Sequence, residues 1–380
     1  MEPQRSNDLA LVFSGGGARA AYQVGFLRCL AHHYPDLHIC ILTGVSAGAI
    51  NAAYLANHRG TFPEAVDELY DFWRDLTMDQ VFLIDNWHLL KNIFHWGTGL
   101  ISGDMPLGST LRGLMDTTPL RKLLNSKLKP EAGQLTGVQE NLQRGRLKAF
   151  AITSTNYATG QTVTWVQGRD IELWERPSRR SIRTTITIDH IMSSAALPLF
   201  FPAVEVGNAW YGDGGIRQSA PLSPALHLGA RRILAISTRY ARTMEQANIP
   251  VVSGYPPPAQ IMGTLMNAIF LDALDQDAHS LDQINLLLDR IPDHKPGDMH
   301  AVDHFVMRPS EDLGTLAGTF EADLPYMFRF LTRGLGTHKT TSPDWLSMVM
   351  FDTHYINRLM DVGEADAYRH RDAIAALLDR

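Results

Sequence analysis

Apolar and polar positions in the N-terminal part of the chain predict two buried strands, each followed by a helix. Leu9–Phe13 is a short apolar run that ends at glycines, which is typical of a strand buried on both faces. Apolar residues then recur at helical spacing from Ala20 to Ala31. A second apolar run at 38–43 leads into a helix of small residues. This order favours a largely parallel sheet covered by helices.

Further strands and helices follow in the middle of the chain. Two strands, 147–154 and 161–166, are predicted on either side of a turn. A helix is expected at 188–196, because apolar residues there stop just before a proline. Strands are then predicted at 203–211 and 232–238. Together these elements extend the predicted α/β pattern.

The pattern changes after Thr238, which suggests three regions. We expect an α/β domain at 9–238 and a proline-rich linker or long surface loop at 239–258. Residues 259–380 read as a mainly helical C-terminal region that packs on the first domain. One strand, at 302–308, interrupts those helices.

Composition narrows the classes of protein that fit. Apolar residues make up 45% and charged residues 19% of 380 positions, as in a globular protein, and the net charge is −6. This charge balance argues against a nucleic-acid binder with a dominant basic surface. The two cysteines, Cys29 and Cys40, are expected to stay unpaired. Two unpaired cysteines and the absence of a recognisable leader sequence predict a cytoplasmic protein.

One uncharged stretch, 37–58, is long enough to cross a bilayer. It also contains glycines, a serine and an asparagine. A strand, a tight turn and a buried helix account for these residues better than one membrane-spanning helix.

The turn inside this stretch has the pattern of a nucleophile elbow. Gly44, Ser46 and Gly48 stand between an apolar strand and a small-residue helix, as that motif requires. A side chain at either glycine would clash with the neighbouring strand and helix. The alternative is an ordinary glycine-rich turn.

A second glycine-rich segment, 14–20, follows the first strand. Its three consecutive glycines would direct several backbone N–H groups to one point, as an anion or oxyanion site needs. Gly15, Gly17 and Ala20 also fit a dinucleotide-binding fingerprint. That reading requires an acidic residue at the end of the second strand, where this chain instead continues into the serine turn.

A third segment places Asp213 between glycines at 212, 214 and 215. Such a carboxylate can sit on a tight loop close to another backbone. Taken alone, the segment is as well explained as a plain turn, since Asp-Gly pairs are common turn formers.

In their order and spacing the three segments resemble the patatin-like phospholipases, a family of acyl hydrolases with a Ser–Asp dyad. The family's motifs are a Gly-Gly-Gly-x-Arg/Lys-Gly oxyanion loop, a Gly-x-Ser-x-Gly elbow and an Asp-Gly-Gly/Ala loop. The matching residues are Gly15, Gly16, Gly17 and Arg19 in the first, Gly44, Ser46 and Gly48 in the second, and Asp213, Gly214 and Gly215 in the third. Ala20 departs from the family's usual glycine. The segment 193–202 also resembles the family's residues before the Asp loop.

The resemblance implies a three-layer α/β/α patatin-like fold with a mostly parallel central sheet. It also implies a serine acyl hydrolase of phospholipase A or lysophospholipase type, with Ser46 as nucleophile and Asp213 as base. Neither a metal nor a cofactor is implied, and the expected partner is a lipid or fatty-acyl ester. Arg19 would add positive charge beside the glycine loop or tie that loop down by an ion pair. The alternatives are a soluble short-chain carboxylesterase and a non-catalytic lipid-binding or scaffold protein.

Histidines offer two rival kinds of chemistry. His227 follows Asp213 in the order of a Ser–His–Asp triad, but it lies within a predicted short helix and favours a surface or packing role. His300, Asp303 and His304 are of residue types that commonly bind metal ions. Their stretch reads as a strand, in which residues four apart are about 13 Å from each other.

An apolar stripe runs from Leu83 through Trp87, Leu90 and Phe94 at helical spacing, with Trp96 just beyond it. Core packing explains it. A cap over the active site or a membrane-contacting surface explains it too. We expect transient membrane contact through Trp87, Phe94 and Trp96.

Overall fold

The computed structural model describes residues 8–83, 113–250, 252, 254–270, 272–290, 299–325, 328–329, 333–334 and 343–379. Within these ranges ten strands form one sheet. They are β1 Leu9–Phe13, β2 Ile41–Val45, β3 Ala149–Asn156, β4 Thr162–Gly168, β5 Glu175–Arg176, β6 Arg179–Arg183, β7 Val204–Val206, β8 Ala209–Asp213, β9 Arg232–Ile236 and β10 Asp303–Met307.

The main path of the sheet runs β10-β9-β1-β2-β3-β4-β6-β5, and its central part is parallel. β1 pairs in parallel with β2 and β9, β9 with β10, and β2 with β3. β4 is antiparallel to β3. β7 and β8 form a hairpin outside this path, and β8 pairs antiparallel with the end of β3.

Helices cover the sheet and connect its strands. They are α1 Ala21–His33, α2 Ala47–Asn57, α3 Phe62–Arg74, α4 Met78–Val81, α5 Thr118–Leu128, α6 Thr136–Gln143, α7 Ile188–Ser194, α8 Ser223–His227, α9 Met244–Ala247, α10 Pro258–Phe270, α11 Asp272–Asp289, α12 Leu313–Phe320, α13 Asp344–Val349, α14 Thr353–Arg369 and α15 Arg371–Leu378. Short 3-10 turns follow β1 and β8, at Gly17–Ala20 and Gly214–Ile216.

Alternate residues of β1 enter two separate cores, which makes the fold three-layered. Leu9, Leu11 and Phe13 join the core that also contains the buried faces of α1, α2, α3 and α14. Ala10 and Val12 join the other core, which α8 and α11 cover. A strand buried on both faces carries apolar residues without alternation, and this explains the run from Leu9 to Phe13.

The uncharged stretch at 37–58 forms β2 and α2, as predicted, and most of it is buried. Among the residues that the structure describes, no helix has both the length and the apolar character needed to cross a bilayer.

Several predicted elements differ from the observed ones in their bounds or their number. The second strand begins at Ile41 and extends to Val45, later than the predicted 38–43. The predicted strand at 203–211 is the β7–β8 hairpin, because Gly207 turns the chain with a φ of +64°. The loop predicted at 239–258 contains α9, which begins at a capping box formed by Thr243 and Gln246.

The strand predicted at 302–308 is confirmed as β10, and it pairs with β9 as an edge strand of the central sheet. The helix α14 packs against α1 on the same side as the first core. Residues beyond the predicted linker thus contribute to both the sheet and its covering layer.

Candidate active site

Ser46 lies at the junction of β2 and α2 with a backbone conformation that non-glycine residues rarely adopt. Its φ is 57° and its ψ is −133°. A Cβ on Gly44 would lie 2.5 Å from the carbonyl oxygen of Gly48, and one on Gly48 would overlap the carbonyl oxygen of Ser14. The strand, turn and helix are therefore too close for any side chain at these two positions. This is the geometry of a nucleophile elbow.

Ser194, at the end of α7, holds the elbow in place. The Ser46 amide donates to Ser194 Oγ at 3.0 Å, and that hydroxyl donates to the Thr153 carbonyl at 2.7 Å. Ser194 was not predicted as a site residue. The only sequence signal for it was the similarity of segment 193–202 to the family.

The sheet brings Asp213 beside the elbow. Val45 is opposite Thr153 in the β2–β3 pair, and Ser154 is opposite Asp213 in the β3–β8 pair. β4 occupies the opposite edge of β3 from Ala149 to Thr155, so β2 and β8 follow one another along the same edge and their ends meet there. Ligand sites of α/β sheets lie at such carboxyl ends of parallel strands.

The Asp213 carboxylate is fully buried and only partly satisfied. Its Oδ1 accepts a hydrogen bond of 2.9 Å from the Gly215 amide. Its Oδ2 has no hydrogen-bond partner among the described residues. Burial raises the pKa of Asp213 from 3.8 to about 7, although the nearby Ser46 hydroxyl and the Gly215 amide both act to lower it.

Two glycines let the Asp213 loop approach its neighbours. A Cβ on Gly214 would overlap the carbonyl oxygen of Thr153, and one on Gly215 would overlap the ring of Phe270. The Asp213 backbone is held as well, because its carbonyl accepts from the Thr155 hydroxyl at 2.8 Å. The loop is thus clamped between β3 and α10.

The glycine loop after β1 lies against Ser46. An added Cβ on Gly15 would be 3.0 Å from the Ser46 Cβ. Gly16 and Gly17 have φ values of +145° and +58°, which favour glycine. Within the described chain neither of their amides donates a hydrogen bond to another protein group. Thr238 holds the loop by donating its hydroxyl to the Gly15 carbonyl at 2.6 Å.

The Arg19 side chain bonds to the C-terminal part of the chain. Its Nη2 is 2.7 Å from Asp344 Oδ1, and its Nε donates to Ser347 Oγ at 2.6 Å. Of the two roles considered from the sequence, the geometry shows the ion pair. Asp344 and Ser347 have no sequence motif that would have identified them.

A narrow apolar cavity opens beside Ser46. Its lining includes two of the three glycines of the loop, aromatic and aliphatic side chains of the N-terminal domain, and four residues of the C-terminal region. The lining residues are Gly16, Gly17, Ser46, Ala47, Ile50, Phe72, Trp73, Leu76, Val81, Leu120, Ala195, Leu197, Phe201, Phe270, Met348, Val349 and Phe351.

The residues of the rival chemistries lie elsewhere. His227 stacks on Trp174 with ring centroids 4.6 Å apart, and it does not line the cavity. His304 is in β10, and its Nε2 is 3.3 Å from Asp282. In the described ranges, three residues with metal-ligand spacing, Asp323, Asp352 and His354, lie near the surface.

The membrane-contacting residues expected from the sequence, Trp87, Phe94 and Trp96, lie outside the described residues, as does Leu90. Leu83, the first residue of that apolar stripe, is described and is 47% exposed.

Fold and site together define an α/β protein in which a serine elbow, a glycine loop and a buried carboxylate converge. The sequence matches the patatin-like phospholipase family over residues 11–226, which is more than half of the chain. The chain therefore belongs to the patatin-like phospholipase family. No curated protein sequence matches it significantly.

Three solved structures illustrate how far this likeness extends. Human GIVD cytosolic phospholipase A2, in complex with methyl γ-linolenyl fluorophosphonate, is 14% identical with a TM-score of 0.46; the match covers 98% of this chain and 59% of the human one. VipD from Legionella pneumophila is 15% identical, with a TM-score of 0.37 and coverage of 97% and 75%. ExoU from Pseudomonas aeruginosa, solved with SpcU, is 16% identical, with a TM-score of 0.24 and coverage of 95% and 52%.

Replacing Asp213 by asparagine should stabilise the protein, and increasingly so as the pH rises. A folded-state pKa near 7 means that the folded protein holds a proton that the unfolded chain loses near pH 4. The wild type thus loses stability between about pH 4 and 7, by up to about 4 kcal/mol. The side-chain amide of the variant cannot ionise, so the variant escapes this loss.

Urea unfolding of both proteins at pH 4.5 and pH 8 measures the difference. We expect a clear gain for the variant at pH 8 and a much smaller one at pH 4.5. Asp372→Asn, at a carboxylate that is 94% exposed, is the control and should change little at either pH. Equal stability of wild type and Asp213→Asn at pH 8 would contradict the raised pKa.

Proposed function

We propose that the protein hydrolyses carboxylic ester bonds of lipids, as a phospholipase A or lysophospholipase, through an acyl intermediate on Ser46. The observation that carries the proposal is the position of Asp213. A buried carboxylate with a raised pKa lies beside an elbow serine at an apolar cavity, and its Oδ2 accepts no hydrogen bond from any residue that the structure describes. A group held in this way costs stability and is typical of a functional site.

In the proposed first half-reaction, Asp213 accepts the proton of the Ser46 hydroxyl as Oγ attacks the ester carbonyl carbon. Asp213 Oδ2 is the acceptor. The carbonyl oxygen becomes an oxyanion, which the amides of Gly16 and Gly17 stabilise. The positive end of α2, which begins next to Ser46, acts in the same direction. Collapse of the intermediate breaks the ester bond, and Asp213 gives its proton to the departing alkoxide.

In the second half-reaction, water attacks the acyl-Ser46 carbonyl and Asp213 takes its proton. The same amides stabilise the second oxyanion. Collapse returns the proton to Ser46 Oγ and releases the fatty acid. A base with a pKa of about 7 is suited to this exchange, because it can both accept and return a proton near neutral pH.

The cavity supports an acyl substrate. Apart from Ser46 its lining side chains are apolar, and they come from both the N-terminal and the C-terminal parts of the chain. Its volume of about 40 Å³ is only a few times what one water needs. Because an acyl chain is larger than this, it must displace flexible lining side chains such as Met348 when it binds. The tight cavity also keeps the soluble short-chain carboxylesterase as a second candidate.

Ser46→Ala should abolish both labelling by a fluorophosphonate probe and hydrolysis of p-nitrophenyl esters, because the attacking oxygen is removed. Asp213→Asn should lower hydrolysis by at least about 100-fold, because the amide cannot accept the proton. In the wild type, kcat/KM should fall as the pH drops below about 7, as Asp213 becomes protonated.

Ser126→Ala, at an exposed serine on α5, is the matched control and should keep full activity. Undiminished labelling of Ser46→Ala would refute the nucleophile. A single His→Ala change as damaging as Asp213→Asn, with Asp213→Asn itself tolerated, would replace the dyad by a triad.

Filling the cavity should shift the acyl-chain preference. Val81 lines the cavity from α4, whereas the helix that begins next to Ser46 is α2. Because a larger side chain at Val81 fills the cavity without changing the elbow, Val81→Trp should reduce kcat/KM for dodecanoyl and longer esters about tenfold or more. Butanoyl esters should be hydrolysed nearly as before. Val81→Ala is the control with the opposite change of volume. Equal loss for short and long esters would remove this cavity as the acyl site.

We also propose transient membrane contact, through Trp87, Phe94 and Trp96 as the sequence indicates and through the outer face of α10. Residues 246–271 contain no Asp, Glu, Lys, Arg or His. The inner face of α10 carries Phe270 to the cavity. Its outer face exposes Ile261 and Leu265 to 46% and 51%. Apolar side chains beside an acyl-binding cavity are suited to the surface of a bilayer.

Leu265→Ser should weaken flotation with phosphatidylcholine vesicles by about tenfold, because one apolar side chain no longer enters the acyl region. Leu173→Ser is the matched control, since Leu173 is also 51% exposed but lies next to the edge strand β5. Identical flotation of the wild type and both variants would exclude α10 from membrane contact.

A further inference from the structure

The part of the chain that carries the family motifs forms only some of the walls of the active-site cavity, and C-terminal residues form the rest. Met348, Val349 and Phe351, which follow the matched region by more than a hundred residues, line the same cavity as Ser46. Their segment also touches the glycine loop. A Cβ on Gly17 would overlap the carbonyl oxygen of Met348, so the two backbones are in direct contact.

Arg19, in the 3-10 turn that follows the glycine loop, connects that loop to the C-terminal segment. The residue is only 3% exposed, so its charge requires compensation within the protein. Across the described ranges, every hydrogen bond of its guanidinium goes to α13. Nη2 donates to Asp344 Oδ1 at 2.7 Å and to the Asp344 carbonyl at 3.1 Å, and Nε donates to Ser347 Oγ at 2.6 Å.

Asp344 connects a third segment. Its Oδ2 accepts a hydrogen bond of 2.8 Å from Asn267 in α10. The same helix packs Phe270 against Gly215, whose amide donates to Asp213. The Asp344 carboxylate thus joins the helix turn after the glycine loop to the helix that clamps the Asp213 loop.

We propose that Asp344 is a positioning residue of the active site: through Arg19 it sets the distance of the Gly16 and Gly17 amides from Ser46, and through Asn267 it holds the helix that packs against the Asp213 loop. The inference rests on the proposed function and extends it, because it assigns part of the catalytic geometry to the C-terminal region. Asp344 itself does not line the cavity, so it acts on the reaction only through the groups that it holds.

Donors of an oxyanion hole act at about 3 Å, and losing one donor costs about 100-fold or more in kcat. A loop displaced by a fraction of an ångström loses part of that effect. The ground-state ester makes weaker use of the same amides, so substrate binding suffers less. Loss of Asp344 should therefore appear in kcat rather than in KM.

Asp344→Asn keeps the size of the side chain and removes its charge. The variant should lower kcat for a p-nitrophenyl ester about 10- to 100-fold while KM stays within about twofold. Ser347→Ala removes the hydrogen bond that Ser347 Oγ accepts from Arg19 Nε and the one that it donates to the Asp344 carbonyl, and leaves the Arg19–Asp344 ion pair in place. It should lower kcat about 3- to 10-fold, which tests the proposal even if Asp344→Asn folds poorly.

Asp366→Asn is the matched control. Asp366 is also a buried C-terminal aspartate that bonds to α1 and to an arginine: it accepts from Tyr22 at 3.2 Å and from Arg369 at 2.7 Å. Its loss should lower the melting temperature with kcat unchanged at 25 °C. Equal loss of kcat in Asp344→Asn and Asp366→Asn, or none in either Asp344→Asn or Ser347→Ala, would overturn the proposal.

Hydrogen–deuterium exchange provides a readout that does not depend on ester hydrolysis. In Asp344→Asn and Ser347→Ala, a peptide covering residues 14–24 should exchange faster than in the wild type. In Asp366→Asn, the amides of residues 15–19 should exchange at the wild-type rate. Unchanged exchange in both of the first two variants would refute the positioning role. Failure of the wild type to react at Ser46 would instead refute the proposed function.

Discussion

The pairing of β3 with two different strands is the constraint on which the site depends. Along one edge of β3 the parallel β2 is followed by the antiparallel end of β8, while β4 occupies the opposite edge, so Val45 and Asp213 pair with the adjacent residues Thr153 and Ser154. Strand pairing, and not a long loop, therefore brings together Ser46 and Asp213, which are 167 positions apart in the sequence. A register shift of one residue in either pair would turn Asp213 or the elbow to the opposite face.

The convergence leaves little room, and this explains why glycines surround the site. The elbow, the glycine loop and the Asp213 loop each contain a glycine whose Cβ would overlap a neighbouring backbone atom: Gly48, Gly17 and Gly214. Such contacts allow amides and a carboxylate to approach Ser46 closely. They also exclude water from Asp213, and that exclusion raises its pKa. Close packing and the chemistry of the carboxylate thus have the same origin.

Sequence reasoning predicted the parts of the site that are encoded locally. Glycines at set offsets from a strand mark the elbow and both loops, and the resemblance of these three segments to one family made Ser46, Asp213 and the Gly15–Gly17 loop the candidate site residues. The bonds of Arg19 to Asp344 and Ser347 join positions more than 320 residues apart, and no local pattern encodes them. For the same reason β10 could be predicted as a strand but not as a neighbour of β9. The β7–β8 hairpin was missed because one glycine reverses a run that otherwise reads as a single strand.

The late position of α13 in the chain has a consequence for the order of synthesis. Domains fold largely from the N-terminus while the chain is still being made. Ser46, the glycine loop and Asp213 leave the ribosome well before Met348, Val349 and Phe351, which close the cavity. If Asp344 positions the glycine loop as proposed, a nascent chain would carry the elbow and the carboxylate without a complete oxyanion site.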